Sequence, residues 1–201
     1  MIRKDKYPEE IAFISKALDM DYQLSDDAKS LLFENIKREE RKKGDFLFQT
    51  KEEIQRVYVF VKGAFKDFTI NEEGDEVLLT IGFEGDMCMK FSSYMPEYPI
   101  EEHFLLYEDA VLYSIEIEFL RSLYATNLEW ANWGRCLAEN LALEWSYFAD
   151  RLRYLKAKER YLHLLRETPS IANRIPLQDI ASYLGITPVS LSRIRKEISN
   201  L

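Results

Sequence analysis

"LQDIASYLGITPVSLSRIRKEI", residues 177–198, reads as two short helices around a tight glycine turn. Ile180, Leu184, Ile186, Leu191 and Ile194 supply the apolar positions. Ala181 stands where two helices would approach closely, and Gly185 follows four residues on. A small residue at the crossing and a glycine in the turn are what a helix-turn-helix requires. Thr187 offers a hydroxyl as N-cap, and Pro188 fits the first helical position, where no N–H is needed. With Leu191 and Ile194 turned inward, the second helix shows Pro188, Val189, Ser192, Arg193 and Lys196 to solvent. An exposed Arg193 can pair with guanine O6 and N7 from the major groove. Ser190, Ser192, Arg195 and Lys196 suit phosphate or base contacts. The candidate DNA-binding set is therefore Thr187, Val189, Ser190, Ser192, Arg193, Arg195 and Lys196. The competing reading is a small helical hairpin that binds protein.

Charge supports a polyanion partner for this segment. The chain as a whole has a net charge of −8. Residues 151–201 hold ten Lys/Arg against four acids, a net of +6, and residues 1–150 hold 17 against 31, a net of −14. An acidic body with a basic end points to double-stranded DNA as the partner of that end. A solvated Arg- and Lys-rich helix face would give the same split.

The 201 residues suffice for one large or two modest domains. No apolar run approaches membrane-spanning length, and "MIRKDKYPEEIAF" lacks the apolar core of an export signal, so the expected setting is cytoplasmic. Cys88 and Cys136 lie far apart, and His103 and His163 are isolated. No disulfide framework, metal site or iron–sulfur cluster is expected from them. No paired carboxylates, nucleophile–base set or phosphate loop suggests an enzyme.

Residues 9–20 and 25–40 show helical spacing, with "SDDA" at 25–28 as an N-cap, and "RKKGD" at 41–45 is a turn. From 46 to 117 the period shortens. "FLFQ", "VYVFV", "AFKDFTI", "EVLLTIGF", "FLLY" and "AVLYSIEI" read as short strands between turns such as "NEEGDE" and "FEGD". "VFVKGAFKDF" reads as a hairpin with Gly63 near its turn. Strands without long helices between them predict an antiparallel roll. Helical spacing returns near 118. Trp130, Leu137, Leu141, Trp145, Phe148, Leu152 and Leu155 form a stripe that fits a helix pairing with its own copy, or one packed on its own domain. "ETPSIANRIP" then breaks the helix. The predicted class is α+β: an N-terminal antiparallel β-roll with flanking helices (1–120), a long dimerisation helix (121–166) and a helix-turn-helix domain (167–201).

This order resembles the Crp-Fnr family of bacterial transcription regulators. The resemblance runs from "KKGDFLF" through "VYVFVKGAFK" to "IASYLGITPVSLSRIRK". It implies a cyclic-nucleotide-binding-like roll and a homodimer joined along the long helices. It also implies recognition helices set about 34 Å apart in successive major grooves. A small-molecule effector and RNA polymerase are further partners it brings in, although no residue pattern identifies a polymerase contact.

The sequence departs from the family in three places. Cyclic-nucleotide-binding members use a Gly-Glu pair and an Arg-Ser or Arg-Thr pair to hold ribose and phosphate. Counting from "EGD" at 84–86, those positions fall on Met89-Lys90 and Ile100-Glu101, with Glu102 adjacent. The cassette is degenerate: no Arg occurs between Arg56 and Arg121, and two carboxylates replace the phosphate's cation. cAMP and cGMP are therefore not expected as cofactors, and the effector is unidentified. Lys90 is expected to be a partly exposed strand residue. Phe91, Tyr94, Tyr98, Phe104 and Tyr107 are expected at the core and rim of the roll, with an apolar ligand pocket as the other reading. Nothing in the spacing of Cys88 or His103 points to haem. In the recognition helix, Pro188-Val189 replace the Arg-Glu with which well-known members open, while Arg193 matches their inner Arg. Three residues follow Ile198, so a β-hairpin wing after the recognition helix is not expected. These features keep a second function open, a ligand-sensing or protein-interaction module with weak, non-specific DNA binding.

Overall fold

The computed structural model describes residues 6–48, 55–90 and 101–199. Helix α1 (Pro8–Leu18) starts on a proline, carries Glu9 and Glu10 in its first turn, and buries Ile14 and Leu18. Helix α2 (Asp26–Phe33) is capped by Ser25, whose Oγ accepts the Ala28 N–H at 3.2 Å. The sequence pattern predicts helix through residue 40. Instead α2 ends at Phe33 and "KREER" forms strand β1 (Lys37–Arg41). The apolar helical spacing stops at Ile36. The charged strand lies at a sheet edge, where Arg38 pairs with Glu10 at 2.7 Å and the Ser114 hydroxyl donates to Glu39.

Seven more strands complete the roll: β2 (Phe46–Phe48), β3 (Arg56–Lys62), β4 (Phe65–Ile70), β5 (Glu76–Gly82), β6 (Met87–Met89), β7 (His103–Leu106) and β8 (Ala110–Glu116). They form two antiparallel four-stranded sheets, ordered β1-β8-β3-β6 and β2-β7-β4-β5. The inner faces meet through Leu47, Tyr58, Phe60, Phe65, Cys88, Phe104, Leu106, Ala110 and Leu112. The antiparallel roll is thus present, but the hairpin predicted around Gly63 is not. Strands β3 and β4 belong to different sheets, so Gly63 makes a corner between them. Its φ of 107° and the 2.9 Å approach of a built Cβ to Ala110 Cβ both require glycine there.

Helix α3 (Ile117–Thr126) follows the roll, and α4 (Leu128–Tyr154) runs for 27 residues. The Asn127 side chain accepts the Glu129 and Trp130 N–H groups and so separates the two helices. Trp130 and Trp133 insert between α1 and α2. Their indole N–H groups donate to the carbonyls of Ala28 and Leu18 at 3.0 and 2.8 Å. These hydrogen bonds let two large aromatic side chains be fully buried without an orphaned donor.

The C-terminal head contains α5 (Ala157–Glu167), α6 (Ile171–Arg174), α7 (Leu177–Tyr183) and α8 (Pro188–Ser199). Its core joins Tyr161, Leu164, Ile171, Ile175, Ile180, Ala181, Leu184, Leu191 and Ile194. Ala64, at the corner of the roll, is buried in the same cluster. With Ile81, Phe83 and Tyr107 of the roll packed against the same cluster, head and roll share an apolar interface. Among the described residues, no helix is long and apolar enough to cross a membrane.

Candidate nucleic-acid interface

Helices α7 and α8 form the predicted pair. Gly185 adopts φ 65° at the end of α7. Its N–H donates to Ser182 O at 2.9 Å, and the Ile186 N–H donates to Ala181 O at 3.0 Å. This is a Schellman closure, which satisfies the last carbonyls of α7 and turns the chain sharply. Thr187 Oγ1 accepts the Ser190 N–H at 3.2 Å and lies 2.9 Å from the Ser190 hydroxyl. Thr187 is thus the expected cap, and both hydroxyls sit at the positive end of α8, where a phosphate is favoured. Leu191 and Ile194 are buried against Ile180 and Ala181, which fixes the rotation of α8.

That rotation exposes Val189, Ser192, Arg193 and Lys196, with Val189 71% accessible. Arg193 and Lys196 make no ion pair among the described residues, so both charges face solvent. Arg195 does not join them. Its guanidinium lies 5.6 Å from the centre of the Tyr161 ring, and its Nε and Nη2 are buried without hydrogen-bond partners. Following Ile194 in the helix, Arg195 falls at the edge of the buried face, and its aliphatic stem packs inward.

The long-helix stripe divides. Trp130, expected at the dimer seam, lies instead in the protein's own core, fully buried with its indole N–H on the Ala28 carbonyl of α2. Leu137 packs against the same core. Phe148 lies 5.1 Å from the Tyr183 ring of the head and 6.0 Å from Trp145. Leu141, Trp145 and Leu152 remain open, at 41%, 50% and 38%. A further exposed set was not identified from sequence: Leu143, Tyr147 and Tyr154. Its i, i+4, i+11 spacing was the available signal.

The interior of the roll has a different electrostatic character. Met89 is half-buried opposite Val57, and Ile100 lies outside the described residues. Lys90 is buried, which corrects the expectation of a partly exposed residue. Glu101 is exposed while Glu102 is almost wholly buried, so only one of the two neighbouring carboxylates enters the roll. Asp67, which sequence reasoning missed, supplies another. It is 5% exposed, its Oδ1 lacks a hydrogen-bond partner, and burial together with the Glu102 charge pushes its carboxyl up to about 8. The register pairs Asp67 with Phe104, which places Asp67 and Glu102 on the same face of the sheet. A buried Asp within "AFKDF", flanked by core phenylalanines, was the only sequence signal.

Of the five aromatic residues, Phe91, Tyr94 and Tyr98 lie outside the described residues. Phe104 is core, and the Tyr107 hydroxyl donates to Asp179 of α7 at 2.8 Å. The buried Cys88 thiol is pushed well upward by desolvation, and His103 stacks on Phe68 at 5.2 Å. Among the described residues, no three His, Cys, Asp or Glu side chains are placed to hold a metal ion.

The chain matches no family model and no curated protein. It is similar in structure to several solved regulators. A Eubacterium rectale chain assigned to the Crp/Fnr family of transcriptional regulators superposes with TM-score 0.67 at 19% identity, covering 92% of this chain and 88% of that one. FixK2 of Bradyrhizobium japonicum gives 0.67 at 17% identity, covering 82% and 85%. The c-di-GMP-responsive global regulator CLP of Xanthomonas campestris gives 0.64 at 16%, covering 88% and 92%. The antiparallel roll, long helix and helix-turn-helix head of this chain therefore make up the fold found in regulators of the Crp/Fnr family.

Proposed function

We propose that the protein is a homodimeric, sequence-specific DNA-binding transcription regulator of the Crp-Fnr type, acting in the cytoplasm and not controlled by cAMP or cGMP. The observation that carries this reading is the face of α8. A capped, rigidly turned helix presents Ser192, Arg193 and Lys196 to solvent beside the Thr187–Ser190 hydroxyl pair. Arg193 reads a base edge, and Lys196 and the hydroxyls hold phosphates. The partly exposed Leu141 and Trp145 on α4 supply an apolar seam for a second copy. In the roll, the burial of Glu102 disfavours an anionic phosphate beside it.

A second reading is favoured by one feature. Val189 is an open apolar residue at the start of the reading face, and Arg195 is turned away from it. A protein-interaction module with only weak, non-specific DNA affinity would carry such a face. Binding to unrelated duplexes across a salt series separates the two readings. The regulator prefers one sequence by orders of magnitude at moderate salt, whereas the module binds all duplexes alike with a steep salt slope.

A further inference from the structure

Arg174, at the end of α6, is held by two carboxylates from the roll. Its Nη1 and Nη2 donate to Glu84 at 2.8 and 2.7 Å, and its Nε and Nη2 donate to Glu108 at 2.9 and 2.8 Å. The guanidinium also lies 5.1 Å from the centre of the Phe83 ring. Glu84 is itself fixed, because its Oε1 accepts the Gly63 N–H at 2.9 Å. Close by, the Tyr107 hydroxyl binds Asp179 of α7. A planar guanidinium gripped by two carboxylates admits few orientations.

The positions of the two carboxylates in the chain give the clamp its meaning. Glu84 lies in the turn before β6, and β6 leads directly to Met89 and Lys90. Glu108 lies just after β7, and β7 begins directly after Glu101 and Glu102. Both arms therefore sit at one end of short strands whose other ends adjoin the buried Lys90 and Glu102. Each of these strands ends beside the clamp. The clamp in turn holds α6 and α7, on which α8 is packed.

Resting on the DNA-reading function proposed above, we infer that Arg174 is a positioning residue. The Glu84–Arg174–Glu108 clamp sets the pose of the reading head on the roll. The head pose matters when two heads must meet two half-sites at once, and little when one head meets one half-site.

The test uses the full chain and two duplexes, a two-half-site duplex recovered by selection and a duplex carrying one of its half-sites. Arg174→Ala and the pair Glu84→Gln/Glu108→Gln are each expected to weaken two-half-site binding about tenfold through lost preorganisation. Half-site binding is expected to stay within about twofold, and the triple variant to be no weaker than either, because all three residues act in one contact. Plain electrostatics predicts the opposite sign for the glutamine pair, since removing two acids favours a polyanion. If Arg174→Ala weakens both duplexes and the glutamine pair strengthens them, Arg174 is a phosphate contact and the inference fails. Unchanged or tighter two-site binding in both variants overturns it as well. Amide exchange provides a readout that needs no DNA. Arg174→Ala is expected to speed exchange in α7 about tenfold while α2 is unchanged. If selection recovers no duplex, the DNA-reading proposal has failed, and unchanged exchange in α7 separately refutes the clamp.

Discussion

The reading head and the interior of the roll both carry charge, in opposite ways. On α8, Arg193 and Lys196 stand in water with no ion pair among the described residues. In the roll, Asp67, Lys90 and Glu102 are buried. An exposed cation costs little to keep and is available to a passing polyanion. A buried carboxyl must be paired, hydrogen-bonded or protonated, and Asp67 meets this by holding its proton up to a pH of about 8. The contrast separates a surface whose charges are open to solvent from an interior whose charges are set by the fold.

The largest expected effect lies in the roll. The folded-state pKa of Asp67 is raised from 3.8 to about 8, so the folded protein binds more protons than the unfolded chain between those values. Stability tied to this group is present at low pH and falls as pH rises through that window, by at most about 1.4 kcal/mol per unit. Asp67→Asn removes the dependence. Urea unfolding at pH 5 and pH 8 is expected to show the variant gaining on the wild type at pH 8 by a few kcal/mol. Equal differences at both pH values would mean that Asp67 is not protonated in the fold.

The next effect lies in the head. Arg193→Ala is expected to remove about 1–3 kcal/mol of discrimination at one base pair while leaving the oligomeric state and the unfolding midpoint unchanged. Competition between the preferred duplex and its single-base variants measures it, and an unchanged preference would show that Arg193 reads no base. The smallest effect belongs to Lys196→Ala. It should weaken all duplexes evenly and lower the salt slope by about one. A variant that alters only the preferred sequence would contradict a phosphate role for Lys196.

The head was the most legible part of the sequence because its determinants are local. Ala181, Gly185, Thr187 and Pro188 each act within a few residues, and each does in the structure what its chemistry suggested. The roll was legible as a class but not in its pairing. Strand β1 is a run of charges that becomes a strand only through β8 and its ion pairs. Strand β6 has three residues, too short for a periodic signal. The corner at Gly63 resembles a hairpin until the sheet memberships are known. Periodicity placed Trp130 on the apolar stripe of α4 but could not say that α1 and α2 would cover it. The inward turn of Arg195 depends on Tyr161, thirty-four residues earlier, and no local pattern encodes it.

Selection of bound duplexes from a random pool, with purified full-length protein and no added ligand, is the experiment to perform first. A regulator of this kind should recover a palindrome whose half-sites lie about 10–10.5 base pairs apart, centre to centre. Recovery of no preferred sequence, with all duplexes retained alike at low salt and released together as salt rises, would contradict sequence-specific reading by α8.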